Sequence, residues 1–147
     1  MRAPDLFTEE QREAIQHAIH DAELLTSGEI RVFIDDHCKD TNVLNRAATV
    51  FEKLHMHETA LRSGVLIYLS VQDRKFAIIG DSGIHEKVTD DFWNTTKELM
   101  VSYFKNDQVA EGLIAGITKA GKALGDHFPR QHDDSNELSN DIVFGGQ

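Results

Sequence analysis

The sequence contains a single cysteine, Cys38, among 147 residues. One thiol closes no internal disulfide, so the fold must rest on its core, and a reducing compartment fits. Proline is scarce as well, with two residues, and the ten glycines show no period, which excludes collagen-like and low-complexity architectures. No apolar run approaches the roughly 18 residues that a membrane-spanning helix requires. The N-terminal MRAPDLFTEEQREA is charged and has no apolar core before a small-residue cleavage site, so it does not read as a signal peptide. Basic residues are also in deficit: 15 lysines and arginines face 25 acids, giving a net charge of −10 and a pI near 5.1. A field of that sign repels nucleic-acid phosphate and anionic lipid and attracts cations. The expectation is an acidic cytoplasmic protein with neither nucleic acid nor a membrane anchor among its partners.

What is present suffices for one core. The chain is 40% hydrophobic and has the length of a single domain. Thr8 and Gln11 form a capping-box signature, after which Ile15, Ala18, Ile19, Ala22 and Leu25 recur at helical spacing until Ser27-Gly28. Glu29 to Asp35 alternates, placing Ile30, Val32 and Ile34 on one face of a strand. Val43, Ala47, Val50, Phe51 and Leu54 mark a second helix, and Val65 to Ser70 is a nearly continuous apolar strand. Strand, helix, strand at this spacing predicts a parallel βαβ crossover. The short Val71–Arg74 turn then forces Lys75–Gly80 to return antiparallel.

An irregular stretch from Asp81 to Val88 leads to a helix over Asp90–Phe104. A further helix, capped by Asp107, runs to about Leu124. Gly112, Gly116 and Gly121 on that last helix imply close packing against a neighbour. The fold class is thus α/β, a small mixed β-sheet sandwiched between about four to five helices. Residues 1–129 are expected to form the domain, and 130–147 read as an acidic, flexible tail whose Ile142-Val143-Phe144 is able to dock as an edge strand or bind a partner.

This topology gathers Gly28-Glu29, Arg62-Ser63-Gly64 and Gly80-Asp81-Ser82-Gly83 at one end of the sheet. Asp35-Asp36-His37-Cys38 and Gln72-Asp73-Arg74 meet at the other. The first end collects Glu29, Asp81, Glu86, Asp90 and Asp91 beside glycine turns and the Ser82 hydroxyl. Such oxygens are the donors that calcium (about 2.3–2.6 Å) or magnesium (about 2.0–2.1 Å) demands, and these five are the candidate metal ligands. The plainer alternative pairs Glu29 with Arg62, uses Asp81 as a cap, and leaves Asp90 and Asp91 to start a helix favourably. The second end has neither CxxC nor HExxH and reads as an acidic loop rather than a zinc site. Nothing matches a Walker loop or a GxSxG elbow, so no catalytic or substrate-binding residue is assigned.

Ser27-Gly28-Glu29-Ile30-Arg31-Val32, Arg62-Ser63-Gly64-Val65-Leu66-Ile67-Tyr68, Arg74-Lys75-Phe76-Ala77-Ile78-Ile79-Gly80, Phe92-Trp93 and Glu111-Gly112-Leu113 occur in an order and spacing that resembles the TPM-domain family. The likeness extends over about residues 5–129. That family includes a thylakoid-lumen acid phosphatase of photosystem II repair and an auxiliary protein of acetylcholine receptors. The resemblance implies an α/β sandwich with a small central sheet and calcium, or another divalent cation, bound in acidic loops. Gly28-Glu29, Gly64 and the loop after the third strand match the pattern, while Ser63 stands where asparagine is commoner. With neither leader nor anchor expected, roles in a thylakoid or at a receptor are not expected to transfer.

Three functions follow as expectations. The first is a cation-binding domain with a regulatory or interaction role. The second is a metal-dependent acid phosphatase acting on phosphomonoesters, with Asp81 or Glu29 as base. The third is a metal-independent acidic module that binds a protein partner.

Overall fold

A computed structural model describes residues 2–130 and 141–145 of the chain. Its helices are α1 (Glu9–Glu23), α2 (Val43–Lys53), the single-turn α3 (Ser82–His85), α4 (Asp90–Phe104) and α5 (Val109–His127). Its strands are β1 (Glu29–Asp35), β2 (Gly64–Ser70), β3 (Lys75–Gly80) and β4 (Val143–Phe144), and 3-10 turns span Ala3–Asp5 and Met56–Glu58. The order across the sheet is β3-β2-β1-β4. β1 and β2 are parallel, β3 is antiparallel to β2, and β4 adds parallel to β1 through Phe33–Val143 and Ile34–Phe144. The α/β mixed sheet with a βαβ crossover and a hairpin strand is the expected architecture, and the apolar tail triplet does supply an edge strand. The remainder of the tail, 131–140 and 146–147, lies outside the described residues.

Local chemistry explains the elements. Thr8 Oγ1 accepts from the Gln11 N–H at 3.1 Å, while Gln11 Oε1 accepts from the Thr8 N–H at 2.9 Å, a complete capping box. The even-numbered residues of β1, Ile30, Val32 and Ile34, face a core built with α1, α4 and α5. Phe33 of β1 and Leu66 and Tyr68 of β2 face a smaller core under α2. The α5 glycines admit neighbours: a Cβ at Gly116 would stand 2.6 Å from Met100 Sδ, and one at Gly121 would stand 2.5 Å from Ala22 Cβ. Loss of helix propensity, up to about 1 kcal/mol each, is the cost of that approach.

Three expectations on local structure change. The first helix ends at Glu23, leaving Leu25 58% exposed rather than in the stripe. The Asp81–Val88 stretch contains α3, capped by the Asp81 side chain. Asp107 does not cap α5. Its φ of 58° and the bond from its N–H to the Phe104 carbonyl make it the left-handed residue that terminates α4.

Candidate functional site

The row at the start of β1 and β2 and the end of β3 sets the site. Glu29 is in register with Gly64, and the Asp81 N–H donates to the Gly64 carbonyl at 2.9 Å. Glu29 and Asp81 therefore flank a glycine on one sheet face, two strand spacings or roughly 10 Å apart. The Met56 carbonyl lies over Gly64, 3.3 Å from where a Cβ would be.

Asp81 is buried and fully engaged. Arg62 Nε donates to Oδ2 at 2.7 Å and Nη2 to Oδ1 at 2.9 Å, and the Ser82 N–H donates to Oδ1 at 2.7 Å. Burial alone would raise this carboxyl; the hydrogen bonds and charge of Arg62, with the Ser82 N–H, override it and hold it below the usual carboxylate range. The expected alternative pairing of Arg62 with Glu29 is thus replaced by Arg62 with Asp81. Two backbone features aim Arg62 there. Its φ is 52°, and the Gly83 N–H donates to its carbonyl at 2.9 Å, in a contact where a Cβ at residue 83 would collide with the Leu61 and Arg62 carbonyls. The Arg62 side chain nevertheless remains 52% exposed.

Glu29, buried at 2% exposure, meets Glu23 at the end of α1, itself 5% exposed. Glu23 Oε2 accepts from the Ile30 N–H at 3.0 Å, and its carboxyl hydrogen-bonds that of Glu29. Two buried carboxyls in contact share a proton. Burial first, then the bond to Glu29, push Glu23 up to about 9. Arg31 stands by, and burial lowers its pKa despite the charges of Asp141, Glu23 and Glu29.

Of the five residues expected to hold metal, two are brought to one face, Glu29 and Asp81. Glu86, Asp90 and Asp91 are exposed on the segment that leaves Asp81 through α3 into α4. Among the described residues, no three His, Cys, Asp or Glu side chains stand close enough to hold a metal ion together. The donor types suit a hard cation; their present spacing does not.

Beside Asp81 opens a cavity of about 410 Å³ bordered by Arg62, His57, Glu52 and Phe51. Sequence reasoning missed Glu23 and His57. For Glu23 the signal existed, since it follows Ile19 by four and Ile15 by eight and so falls within the apolar stripe. His57 sits in a 3-10 turn with no period to flag it.

The opposite end has a different economy. Asp35, 1% exposed, accepts from Arg46 Nε at 2.9 Å, from Arg46 Nη2 at 3.3 Å and from the Tyr68 hydroxyl at 2.5 Å. The Arg46 guanidinium also lies 5.7 Å from the centroid of the Phe33 ring. Asp73 accepts from the Cys38 N–H and, at 3.0 Å, from the Ser70 hydroxyl, pinning the acidic loop to the hairpin.

The model of the TPM domain family matches residues 2–123, well over half of the chain. The chain belongs to the TPM domain family. Among solved structures, this TPM domain is similar to the BA42 protein from the psychrophilic bacterium Bizionia argentinensis, with 47% identity, a TM-score of 0.88 and 95% of each chain covered. It shares its fold with the N-terminal domain of a protein from P. gingivalis (17% identity, TM-score 0.67, 87% of this chain and 84% of that one). The same holds for the N-terminal domain of the cg2496 protein from Corynebacterium glutamicum (14% identity, TM-score 0.64, 89% and 80% covered). No curated protein matches it. Among the described residues of this TPM domain, no helix is long and apolar enough to cross a membrane.

Proposed function

We propose that this TPM domain binds a divalent cation, calcium first and magnesium second, at the Glu29–Asp81 end of the sheet, and that binding serves a regulatory or interaction role. One observation carries the reading: the buried negative charge there is balanced by groups able to leave. A proton on Glu23 removes one of the two charges of the Glu23–Glu29 pair, and a half-exposed guanidinium neutralises Asp81. Carboxylate oxygens and the Met56 carbonyl are the donors available within, and Glu86, Asp90 and Asp91 are those the adjoining segment adds. Since the resting spacing does not hold an ion, binding goes with release of the proton and withdrawal of Arg62. Affinity then rises with pH.

The test is an amide-resolved NMR titration with calcium and then magnesium at pH 6 and pH 8. Saturable shifts confined to 28–30, 62–64 and 80–91, tighter at pH 8 and lost in Asp81→Asn, support the reading. At a cation concentration 100 times the Kd, folded-state binding also stabilises by about 2.7 kcal/mol, read as a higher Tm. Flat spectra at millimolar calcium refute it and leave an acidic interaction surface, with binding to a protein partner as the next measurement.

A second reading, hydrolysis of phosphomonoesters, is favoured by the cavity beside Asp81, where the half-exposed Arg62 guanidinium and His57 supply positive charge and donors for a phosphate. A bound cation would polarise the phosphoryl oxygens. Asp81, held ionised by Arg62, is a weak base, so Glu29 is the better of the two bases considered. Turnover of p-nitrophenyl phosphate that survives both chelator and Asp81→Asn rules this reading out.

A further inference from the structure

The border of β1 that faces away from β2 is filled by residues from far along the chain. β4 adds there in parallel, with Val143 opposite Phe33 and Phe144 opposite Ile34, and the Gly145 N–H donates to the Ile34 carbonyl at 2.8 Å. Main-chain bonds of that kind hold any extended segment; selectivity comes from where its alternate side chains go. Here each position has its own seat. Asp141 is exposed and lies within range of the Arg31 charge. Ile142, 7% exposed, enters the larger core. Phe144, two residues on, packs against that same core, with the Arg12 guanidinium of α1 5.8 Å from its ring centroid. Val143 turns to the other face and meets the smaller core. Position 145 takes only glycine, since a Cβ there would stand 2.9 Å from the Phe33 ring and closer still to the Asp35 carboxylate.

The segment that fits is therefore acid, aliphatic, aliphatic, aromatic, glycine, read by one strand border and one helix. The match to the family ends at residue 123, so the border lies inside the matched region and its occupant outside it. The hold on that occupant is small: two residues of strand pairing, in a segment tethered to Arg130 by the ten residues 131–140. A tether of that length keeps the segment at its groove with an effective concentration of order millimolar. A free peptide of equal affinity competes only near that concentration. A partner that also touches the domain elsewhere brings its own segment to the same level.

We propose that the β1 border is a recognition groove for a protein partner carrying an extended acid–aliphatic–aliphatic–aromatic–glycine segment, and that residues 141–145 are a built-in competitor which that segment displaces. The partner's strand adds parallel to β1, its acid toward Arg31 and its glycine over Phe33. Cation binding at Asp81 plays no part in it.

The probe is the peptide Ser-Asn-Asp-Ile-Val-Phe-Gly-Gly-Gln, the sequence of residues 139–147, titrated unlabelled into the isotope-labelled full chain by amide-resolved NMR. At millimolar peptide the 141–145 signals of the chain move to those of an undocked segment, while 32–34 keep the shifts of a filled groove. A second arm uses the full chain carrying Ile142→Asp and Phe144→Asp, whose own segment cannot seat. Fluorescein-labelled peptide binds that variant saturably, at least about tenfold tighter than it binds the unaltered chain. A peptide with Gly145→Val binds it at least about tenfold more weakly than the parent peptide. Any of three results overturns the proposal: 141–145 signals unmoved at millimolar peptide, equal affinity for the Gly145→Val peptide, or an unaltered chain already dimeric at micromolar concentration, which would assign the groove to a second copy.

Discussion

The two ends of the sheet carry the same kind of residue and treat it in opposite ways. At the Asp35 end a buried carboxylate receives two guanidinium bonds and a phenol, from side chains held in the small core under α2. Burial, then the bond to Asp35, drives the Tyr68 hydroxyl far above its ordinary range, so the phenol keeps its proton at any ordinary pH. At the Glu29 end the compensation is the charge of Arg31, a titratable proton and, for Asp81, an arginine whose side chain is half in solvent. Buried charge with permanent partners is structure; buried charge with removable partners is a place where something else can bind. Composition does not separate the two ends. The accessibility of the compensating group does.

That contrast can be broken by substitution. The largest effect belongs to Arg46→Ala, which leaves Asp35 buried without its cation and is expected to cost about 3–5 kcal/mol in chemical denaturation. A loss under about 1 kcal/mol would mean the Asp35 end is no more fixed than the other.

Next comes pH. With Glu23 protonated in the fold up to about 9 and ionised in the unfolded chain above about 4.5, the folded state binds more protons throughout that window. Stability is therefore highest below it and falls as pH rises, by up to about 1.4 kcal/mol per pH unit. Glu23→Gln keeps a donor toward Glu29 and removes the titration. The variant should flatten the slope and be the more stable protein at pH 8, by about 1–3 kcal/mol. Urea midpoints across pH 5–9 decide it, and parallel curves for the two proteins would dismiss the shared proton.

The smallest effect sharpens the comparison. Arg62→Ala should lower Tm less than Arg46→Ala does, because Asp81 keeps the Ser82 N–H and gains water where the guanidinium was half-exposed. If calcium binds as proposed, the same variant binds it more tightly, which isothermal titration measures directly.

Much of the fold was legible because periodicity reports burial. The apolar stripes of α1 and α2, the alternation in β1 and the all-apolar β2 each needed only spacing, and the three-glycine helix announced its close neighbours. The candidate site was legible as a place but not as a set of bonds. Whether Arg62 reaches Glu29 or Asp81 turns on its left-handed backbone and on how Gly83 rests against residues 61 and 62, neither of which leaves a periodic trace. Asp107 shows the same blind spot: the preference of aspartate for helix starts conceals that it also tolerates the left-handed finish of α4. Glu23 is the reverse case, a polar residue inside an apolar stripe, where the pattern held a signal that sequence reasoning missed.

The pairing of β4 with β1 sets a timetable for biosynthesis. Phe33 and Ile34 leave the ribosome 110 residues ahead of their partners on that border, Val143 and Phe144. Throughout the interval β1 can be matched by β2 on one side while its other border, past the Ile30 N–H that donates to Glu23, presents bare amide and carbonyl groups, a template for any extended segment of another nascent chain. The closing strand is only two residues long, yet it comes back over the domain as a seal. A chain cut before Asp141 would retain its helices and three-stranded sheet but be born, and remain, sticky at that border.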